Sequence, residues 1–317
     1  MLYQFMTRTN HFFGKDIVSI KDFSKDDLEF IFETTDKIRK LKPDEKSEFG
    51  KGRTLGYIFY EPSTRTRMSF EAAMASLGGS SIGIFDSKFS SIEKGESLAD
   101  TIRIMDLYSD IIVLRHPNDG SSRYAAELSN NPIINAGSGS EEHPTQAMLD
   151  LYTILKEKGR INNLTIGIVG DLKYGRTIYS LLYGLKNYQV DIYLISPPTL
   201  SVRSESIYEI RNKINIKQEN YLDEVIKKLD VLYVTRIQKE RFPDTQEYEK
   251  VKGTYKIDDK ILENTKTDLS IMHPLPRLDE ISHLVDNSPK AIYFKQAAYG
   301  KELRAALLTV ILNECAF

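Results

Sequence analysis

Residues 55–70, LGYIFYEPSTRTRMSF, join a short apolar run to a helical pattern. The run Leu55–Tyr60 is rich in aromatic and aliphatic residues, which predicts a buried strand. A helix is predicted from Arg65 to Leu77, and Gly78-Gly79 would end it. A strand that leads directly into a helix is the first half of a βαβ unit, so this stretch predicts a parallel sheet.

The same order of strand and helix repeats along the chain. In the first half the predicted elements are strands at Ser81–Phe85, Asp110–His116 and Pro132–Asn135 and helices at Ser97–Tyr108 and His143–Lys156. In the second half they are strands at Thr165–Asp171, Val190–Ile195, Val231–Thr235 and Ser270–His273, with helical segments between them, and helices at about Arg176–Tyr188 and Lys301–Asn313. The series restarts near residues 140–160, which predicts an α/β protein of two doubly wound parallel-sheet domains.

Composition and charge exclude several classes of protein. The 317 residues are 41% hydrophobic with a formal net charge of −2, so no global positive field favours nucleic acid or an anionic membrane. The single cysteine, Cys315, excludes an internal disulfide and a cysteine-based zinc site and favours the cytoplasm. No stretch approaches about 18 consecutive apolar residues, and the first residues lack a secretory pattern, so we expect neither a membrane span nor a signal peptide.

The residues after the first strand favour an anion site. Ser63 and Thr64 are good N-cap residues, and a helix N-terminus offers unpaired N–H groups and a partial positive charge. Arg65 adds a planar fork that matches phosphate, and Thr66 adds a hydroxyl. The alternative is a capped helix with solvated arginines.

Further cationic and amide residues follow the other predicted strands. They are Arg115, His143, Gln146, Arg176, Arg236, Gln238 and His273. Because the carboxyl ends of parallel strands share one edge of a sheet, ligands bind along that edge. Repetition at this place predicts one polar cleft rather than scattered surface charges.

The sequence lacks the motifs of several other kinds of catalytic or binding site. There is no phosphate loop of the G-x-x-x-x-G-K-[ST] type, no H-E-x-x-H and no nucleophile elbow. The segment Gly170–Gly175 is similar to a dinucleotide turn, but Leu172 stands where the second glycine is needed. The sequence therefore predicts catalysis by charge and positioning, with no cofactor and no metal.

These residues fall in motifs that resemble the carbamoyltransferase family. The motifs are FYEPSTRTR at 59–67, KGE at 94–96, RHP at 115–117, HPTQ at 143–146, DLKYGR at 171–176, TRIQKERF at 235–242, HPLPR at 273–277, YFKQ at 293–296 and LRAALL at 303–308. They occur in order over nearly the whole chain. Ornithine-specific members usually carry His-Cys-Leu-Pro and Ser-Met-Gly, both absent here, so the resemblance favours the aspartate-specific members.

The resemblance implies a reaction and an assembly. Carbamoyl phosphate and L-aspartate would give N-carbamoyl-L-aspartate and phosphate without a covalent intermediate, the committed step of de novo pyrimidine (UMP) biosynthesis. Residues 1–147 plus 293–317 would form the carbamoyl-phosphate-binding domain and 148–292 the aspartate-binding domain, with the last helix crossing back to the first. The chain would form a homotrimer whose subunits share active sites. The enzyme would be cytoplasmic. Some members join a separate zinc-containing regulatory chain in a dodecamer, and this alternative stays open.

The resemblance also implies a role for each site residue. Carbamoyl phosphate would contact Ser63, Thr64, Arg65, Thr66, Ser90, Lys94, Arg115, His143, Gln146, Pro274 and Leu275. Aspartate would contact Lys94, Arg176, Arg236, Gln238 and Leu275. Arg65, Thr66, Lys94, Arg115 and His143 would be catalytic. Ser90 and Lys94 would reach a neighbouring subunit's site, and Ser91 is an alternative to Ser90.

Some points are open at this stage. Family members commonly have Asp where Ser138 stands and uncharged amides near Glu141-Glu142, and acids beside His143 could raise its pKa. Arg304 is placed near the site by the resemblance, but a solvated position on the last helix is an equal alternative. No side chain stands out as general base, so a phosphate oxygen of the substrate would take the amine proton. The rival functions are an ornithine carbamoyltransferase, a non-enzymatic scaffold and a nicotinamide dehydrogenase.

Overall fold

The structure is a computed structural model that describes residues 8–85, 94–140, 142–237, 242 and 244–316. In chain order the strands and helices are β1 (Arg8–Thr9), α1 (Lys25–Lys40), α2 (Pro43–Lys46), β2 (Thr54–Phe59), α3 (Thr64–Ser76), β3 (Ser80–Ile84), α4 (Leu98–Tyr108), β4 (Ile111–His116), α5 (Ser121–Leu128), β5 (Ile133–Ser138), α6 (Pro144–Lys158), β6 (Leu164–Val169), α7 (Arg176–Leu185), β7 (Val190–Ile195), α8 (Ser204–Ile210), β8 (Asn215–Glu219), β9 (Val231–Val234), α9 (Thr245–Val251), α10 (Asp259–Glu263), β10 (Ser270–Met272), α11 (Tyr293–Leu312) and β11 (Cys315–Ala316). The chain forms two compact units, Met1–Leu149 with Tyr299–Phe317 and Asp150–Ala298. Below they are unit 1 and unit 2.

Unit 1 contains a four-stranded parallel sheet in the order β3-β2-β4-β5. Five of the six residues of β2 are buried, as expected for a central strand covered on both faces. The chain leaves β2 toward β3 on one side and returns to β4 on the other, so the strand order reverses between β2 and β4. Such a reversal opens a crevice at the carboxyl ends of those two strands.

Unit 2 contains a five-stranded parallel sheet in the order β10-β9-β6-β7-β8. β9 and β10 are buried throughout, and β6 has one partly exposed residue. Here the strand order reverses between β6 and β9, which gives unit 2 a crevice of the same kind. The predicted fold class, α/β with two parallel sheets, is confirmed.

Two boundaries differ from the expectation. β8, with sequence NIKQE, lies where only helical segments were expected. It could not be predicted because three of the five residues of this edge strand are exposed, so the sequence has no apolar pattern. The final helix begins at Tyr293 instead of about Lys301. Residues 303–312 are buried on every side, whereas Phe294 and Lys295 in the first turn are exposed. The burial pattern therefore changes along the helix, and its start leaves little periodic signal.

The last helix packs within unit 1 on the helices that precede it in the chain. The Arg304 guanidinium donates to Ser69 Oγ of α3 at 2.7 Å and lies 5.0 Å from the centre of the Phe70 ring. Glu302 pairs with Lys46 of α2 at 3.4 Å, and the Arg39 guanidinium of α1 lies 4.9 Å from the Tyr299 ring. The predicted return of the last helix to the N-terminal elements is confirmed. No helix within the described ranges is long and apolar enough to span a bilayer.

Candidate active site

The N-terminus of α3 lies directly after β2, at the reversal of the first sheet. Ser63 is the N-cap residue, and its side chain makes no hydrogen bond to the helix. Neither Asp nor Glu occupies the first turn, whereas α1 and α4 both carry aspartates there. Thr64 and Arg65 are exposed and Thr66 is buried. The first turn therefore offers N–H groups, two threonine hydroxyls and a guanidinium, and the turn itself contains no acidic residue.

Arg115 is the last residue but one of β4, the other strand at this reversal. Its Nη1 donates to the Ala136 carbonyl of β5 at 3.0 Å, and its Nε lies 3.4 Å from Glu61 Oε2. The side chain is 14% exposed. Two contacts thus fix the guanidinium beside the loop that leads from β2 into α3, which restricts its conformers before any ligand binds.

His143 and Gln146 lie at the start of α6. Both are buried, and the His143 carbonyl accepts from the backbone N–H groups of Gln146 and Ala147. Thr145 Oγ1 lies 3.5 Å from His143 Nδ1. The helix start therefore holds an imidazole and an amide in fixed positions, as a polarising site needs.

The acidic residue before His143 is engaged elsewhere. Glu142 Oε1 accepts from the Ser19 hydroxyl at 2.6 Å, and Oε2 accepts from the Ile20 backbone N–H at 2.8 Å. Burial raises the pKa of the Glu142 carboxyl, and these two hydrogen bonds only partly oppose that rise. The Ser138 hydroxyl lies 2.7 Å from the Ser122 hydroxyl and donates to Asn135 Oδ1 at 3.1 Å.

In unit 2, Arg176 begins α7 after the loop that follows β6. The Asp171 carboxylate accepts from the backbone N–H groups of Lys173 and Tyr174, so the loop folds as a turn around that side chain. Leu172 is fully buried. Arg176 itself is 8% exposed, so a guanidinium is enclosed at the carboxyl end of the sheet.

Arg236 follows β9, the second strand at this reversal. Gly170 after β6 has a φ of +124°, and a Cβ there would stand 2.1 Å from the Thr235 carbonyl oxygen. Glycine at 170 therefore allows the two strand ends to approach each other closely. Gly170, Thr235 and Arg236 line one cleft of unit 2, and Arg236 is half-buried.

The HPLP segment forms a tight turn after β10. Leu275 has a φ of +56°, the left-handed region that non-glycine residues rarely occupy, and the Leu275–Pro276 bond is cis. Pro274 and Leu275 are half-buried.

The other residues singled out in the sequence differ in their exposure, and some of them lie outside the described ranges. Lys94 is exposed. Ser90, its alternative Ser91, Gln238 and Glu141 lie outside the described residues. Arg304, for which a solvated position was an alternative, is 4% exposed and that alternative is wrong.

The structure buries four polar residues that were given no substrate contact above, including His273, which was expected at the polar cleft. Asp150, His273, Glu280 and Gln296 are all at least nine-tenths buried within unit 2. One signal was available for Asp150, a charged residue within the apolar stretch AMLDLY at 147–152 of α6. The pairing partners could not be found this way, because 146 residues separate Asp150 from Gln296.

Each unit therefore has cations at the reversal of its own sheet. In unit 1 these are Arg65 and Arg115, and in unit 2 they are Arg176 and Arg236. Sites of this kind recognise anions at several points and orient them.

Comparison with family models identifies the class. Residues 15–156 match the carbamoyl-P binding domain of the aspartate/ornithine carbamoyltransferases, and residues 162–311 match their Asp/Orn binding domain. The chain belongs to the aspartate/ornithine carbamoyltransferase family.

Individual relatives narrow this class. The chain is 64% identical to the aspartate carbamoyltransferase catalytic subunit of Nitrosopumilus maritimus, covering 97% of this chain and 100% of that protein. It is 50% identical to the catalytic subunit of M. jannaschii aspartate transcarbamoylase, with a TM-score of 0.86 over 93% of this chain and 97% of the other. Trypanosoma cruzi aspartate transcarbamoylase in complex with carbamoyl phosphate and aspartate gives 39% identity and a TM-score of 0.92 over 97% and 100%.

These three relatives are named as aspartate carbamoyltransferases or transcarbamoylases. The predicted enzyme class and activity, aspartate carbamoyl transfer, are confirmed. The comparisons support this activity over an ornithine enzyme, a scaffold or a nicotinamide dehydrogenase.

Proposed function

We propose that the chain transfers the carbamoyl group by clamping three anionic groups, one phosphate and two carboxylates, at the ends of its parallel strands. The observation that supports this is the placement of arginines at the strand-order reversal of each sheet. Unit 1 would bind carbamoyl phosphate and unit 2 L-aspartate. The products are N-carbamoyl-L-aspartate and phosphate, and the reaction is a step of pyrimidine biosynthesis.

The α3 N-terminus would hold the phosphate group. Ser63, Thr64 and Thr66 offer hydroxyls, the first turn offers N–H groups, and Arg65 offers a bidentate fork. A carboxylate in that turn would repel phosphate, and none is present. This agreement of dipole, hydroxyls and guanidinium supports a phosphate ligand over a neutral one.

Arg115, His143 and Thr66 would donate to the carbamoyl oxygen, on which negative charge grows as the amine attacks. Donors fixed in advance stabilise that charge without reorganising. Arg115 is held by Ala136 and Glu61, and His143 by its position at the start of α6. Gln146 would bind the carbamoyl amine. Lys94 would contact both substrates.

Arg176 would pair with the α-carboxylate of aspartate, and Arg236 with Gln238 would take the β-carboxylate. The backbone carbonyls of Pro274 and Leu275 would orient the carbamoyl and amino groups. As the C–N bond forms and the C–O bond to phosphate breaks, a phosphate oxygen would take the amine proton. No separate base is then required.

The decisive assay uses the purified chain with carbamoyl phosphate and either L-aspartate or L-ornithine. Turnover is expected with aspartate alone, because an ornithine side chain would bring a cation against Arg236. Carbamoyl aspartate and phosphate are measured independently and should form in equal amounts. Turnover with ornithine, or none with either amine from folded protein, would contradict the proposed specificity or activity.

We also propose a homotrimer whose subunits share active sites. The α4 face that carries Ile104, Leu107 and Tyr108 is apolar and exposed in the single chain, with Leu107 76% exposed. Met68 of α3 is exposed as well. Such apolar surface is typical of a subunit interface.

Mixing two impaired variants tests sharing. If Lys94 serves a neighbour's site, a mixed trimer of Lys94→Ala and Arg236→Ala chains contains about one intact site. Dissociation and random reassociation of an equal mixture also form inactive homotrimers, so about one-quarter of wild-type activity should return. Each variant reassociated alone is the control, and no recovery in a mixture of confirmed trimers would contradict sharing.

A regulatory chain would be a separate zinc-containing protein that joins the trimers in a dodecamer. The mass of the native complex from cells decides between a free trimer and the larger assembly.

The low cysteine content supports a cytoplasmic location.

A further inference from the structure

A chain of four buried polar side chains supports the HPLP turn from within unit 2. The four residues are Asp150, Gln296, His273 and Glu280, with exposures of 0%, 1%, 2% and 8%. None belongs to the substrate contacts proposed above. We call them the buried relay.

The first half of the relay fixes the orientation of an amide. Gln296 Nε2 donates to Asp150 Oδ1 at 2.7 Å, and Gln296 Oε1 accepts from the His273 backbone N–H at 2.9 Å. A carboxylate only accepts, so the NH₂ of Gln296 must face Asp150 and its oxygen must face His273. The Tyr233 hydroxyl donates to the other oxygen of Asp150 at 2.8 Å. The end of β10 is thus anchored to α11.

The second half fixes the tautomer of His273. The Leu275 backbone N–H donates to His273 Nδ1 at 2.8 Å, so Nδ1 is the acceptor nitrogen. The other nitrogen, Nε2, then carries the proton and donates to Glu280 Oε1 at 2.7 Å. Glu280 Oε2 accepts from the Leu278 backbone N–H at 3.0 Å. One carboxylate therefore ties together both ends of the segment 273–278.

This arrangement explains how Leu275 keeps an unfavourable backbone conformation. A left-handed φ at a leucine persists only when its surroundings impose it. Burial alone would raise the pKa of Glu280, but the hydrogen bonds from His273 and from the Leu278 amide lower it overall. Glu280 thus remains a charged acceptor for both donors.

We propose that the buried relay positions the carbonyls of Pro274 and Leu275 for catalysis, with His273 as its central positioning residue. The proposal rests on the proposed function, in which these carbonyls orient the carbamoyl and amino groups. The relay acts through the backbone, although its member Glu280 also lines the cleft that contains Arg236. Its loss should lower kcat and leave the arginine contacts to the carboxylates and the phosphate intact.

Two substitutions at one position separate positioning from simple burial. His273→Ala removes both side-chain hydrogen bonds, and a misplaced backbone should reduce kcat by about 100-fold. In His273→Asn, Oδ1 can accept the Leu275 N–H in an Asx turn, so about ten-fold of that loss should return. The KM for aspartate and inhibition by phosphate should stay within about three-fold of the wild type in both.

A matched control lies at the opposite end of the same sheet. Asp230 accepts from the Thr165 backbone N–H at 2.8 Å and from Lys266 at 2.6 Å, before the start of β9. Asp230→Ala should lower the unfolding temperature while kcat stays within about two-fold of the wild type. If it lowers kcat as much as His273→Ala does at an equal loss of unfolding temperature, the relay is structural only and the proposal is overturned.

Other outcomes are equally decisive. A wild-type kcat in folded His273→Ala overturns the proposal. So does a kcat in folded His273→Asn that is no higher than that of His273→Ala. Should His273→Ala fail to fold, Gln296→Met, which removes both amide contacts at similar volume, takes its place, and an unchanged kcat there overturns the proposal. An inactive wild type refutes the proposed function itself, whereas active variants beside an active wild type refute only the relay.

Discussion

Replacing Arg236 by alanine is expected to raise the KM for aspartate by about 100-fold or more. Loss of one partner from a desolvated charge pair typically costs about 2–5 kcal/mol, and each 1.4 kcal/mol is about a ten-fold change in affinity. The KM for carbamoyl phosphate should change by less than about three-fold, because Arg236 lies in unit 2 and is assigned to the β-carboxylate alone. Steady-state kinetics with each substrate varied in turn measures both values.

Two further variants sharpen this test. Arg236→Lys keeps the charge but loses the two-pronged geometry, so its KM should fall between those of the wild type and Arg236→Ala. Arg211→Ala is the matched control: Arg211 is an exposed arginine of the same unit, with its guanidinium 4.6 Å from the Tyr208 ring, and its kinetics should be those of the wild type. Equal effects on both substrates, or an unchanged KM for aspartate in Arg236→Ala, would refute the β-carboxylate contact.

Replacing Arg65 by alanine is expected to reduce kcat by about 100-fold to 1,000-fold, the usual loss when one preorganised donor to a developing charge is removed. The phosphate gains charge as its bond to the carbamoyl carbon breaks, so the contact strengthens in the transition state. Arg65 is exposed in the first turn of α3, so its truncation should leave the unfolding temperature nearly unchanged. Turnover at saturating substrates and thermal unfolding are the two measurements.

Arg53→Ala is the control for Arg65. The Arg53 guanidinium donates to the Asp110 carboxylate at 2.9 Å. Arg53 directly precedes β2, at the amino end of the sheet, whereas Arg65 lies beyond the carboxyl end of that strand. Arg53→Ala should leave kcat unchanged. A bisubstrate analogue, N-(phosphonacetyl)-L-aspartate, should bind Arg65→Ala much more weakly than the wild type. Retention of both tight analogue binding and wild-type turnover would remove Arg65 from the phosphate site.

Much of the fold was readable because central parallel strands are continuous apolar runs. Leu55–Tyr60 and Thr165–Asp171 could be placed since both faces of such strands are buried, and the residues that follow them mark the ligand edge. The cationic residues at those ends were found by their repetition at equivalent places. Arg115 and Arg176 illustrate this, since neither is unusual when taken singly.

The remainder depends on tertiary contacts that no local pattern encodes. β8 is a strand because it pairs with β7, from Asp191 with Asn215 to Ile195 with Glu219, although four of its five residues are polar. Glu142 was expected beside His143, yet its carboxylate is bound by Ser19 and Ile20, more than 100 positions earlier. Long-range hydrogen bonds of this kind follow from the fold and cannot precede it.

The split composition of unit 1 has a consequence for biosynthesis. A ribosome delivers Leu149 long before Tyr299, and at about 5–20 residues per second the intervening 149 residues take roughly 7 to 30 s. During that interval unit 2 emerges whole, whereas Ser69, Phe70 and the rest of the α3 surface still await the helix that carries Arg304. Newly made chains therefore pass through a stage with one finished half and one uncovered half. Chaperones should bind that half, and quality-control proteases should remove chains released before their last turn of helix.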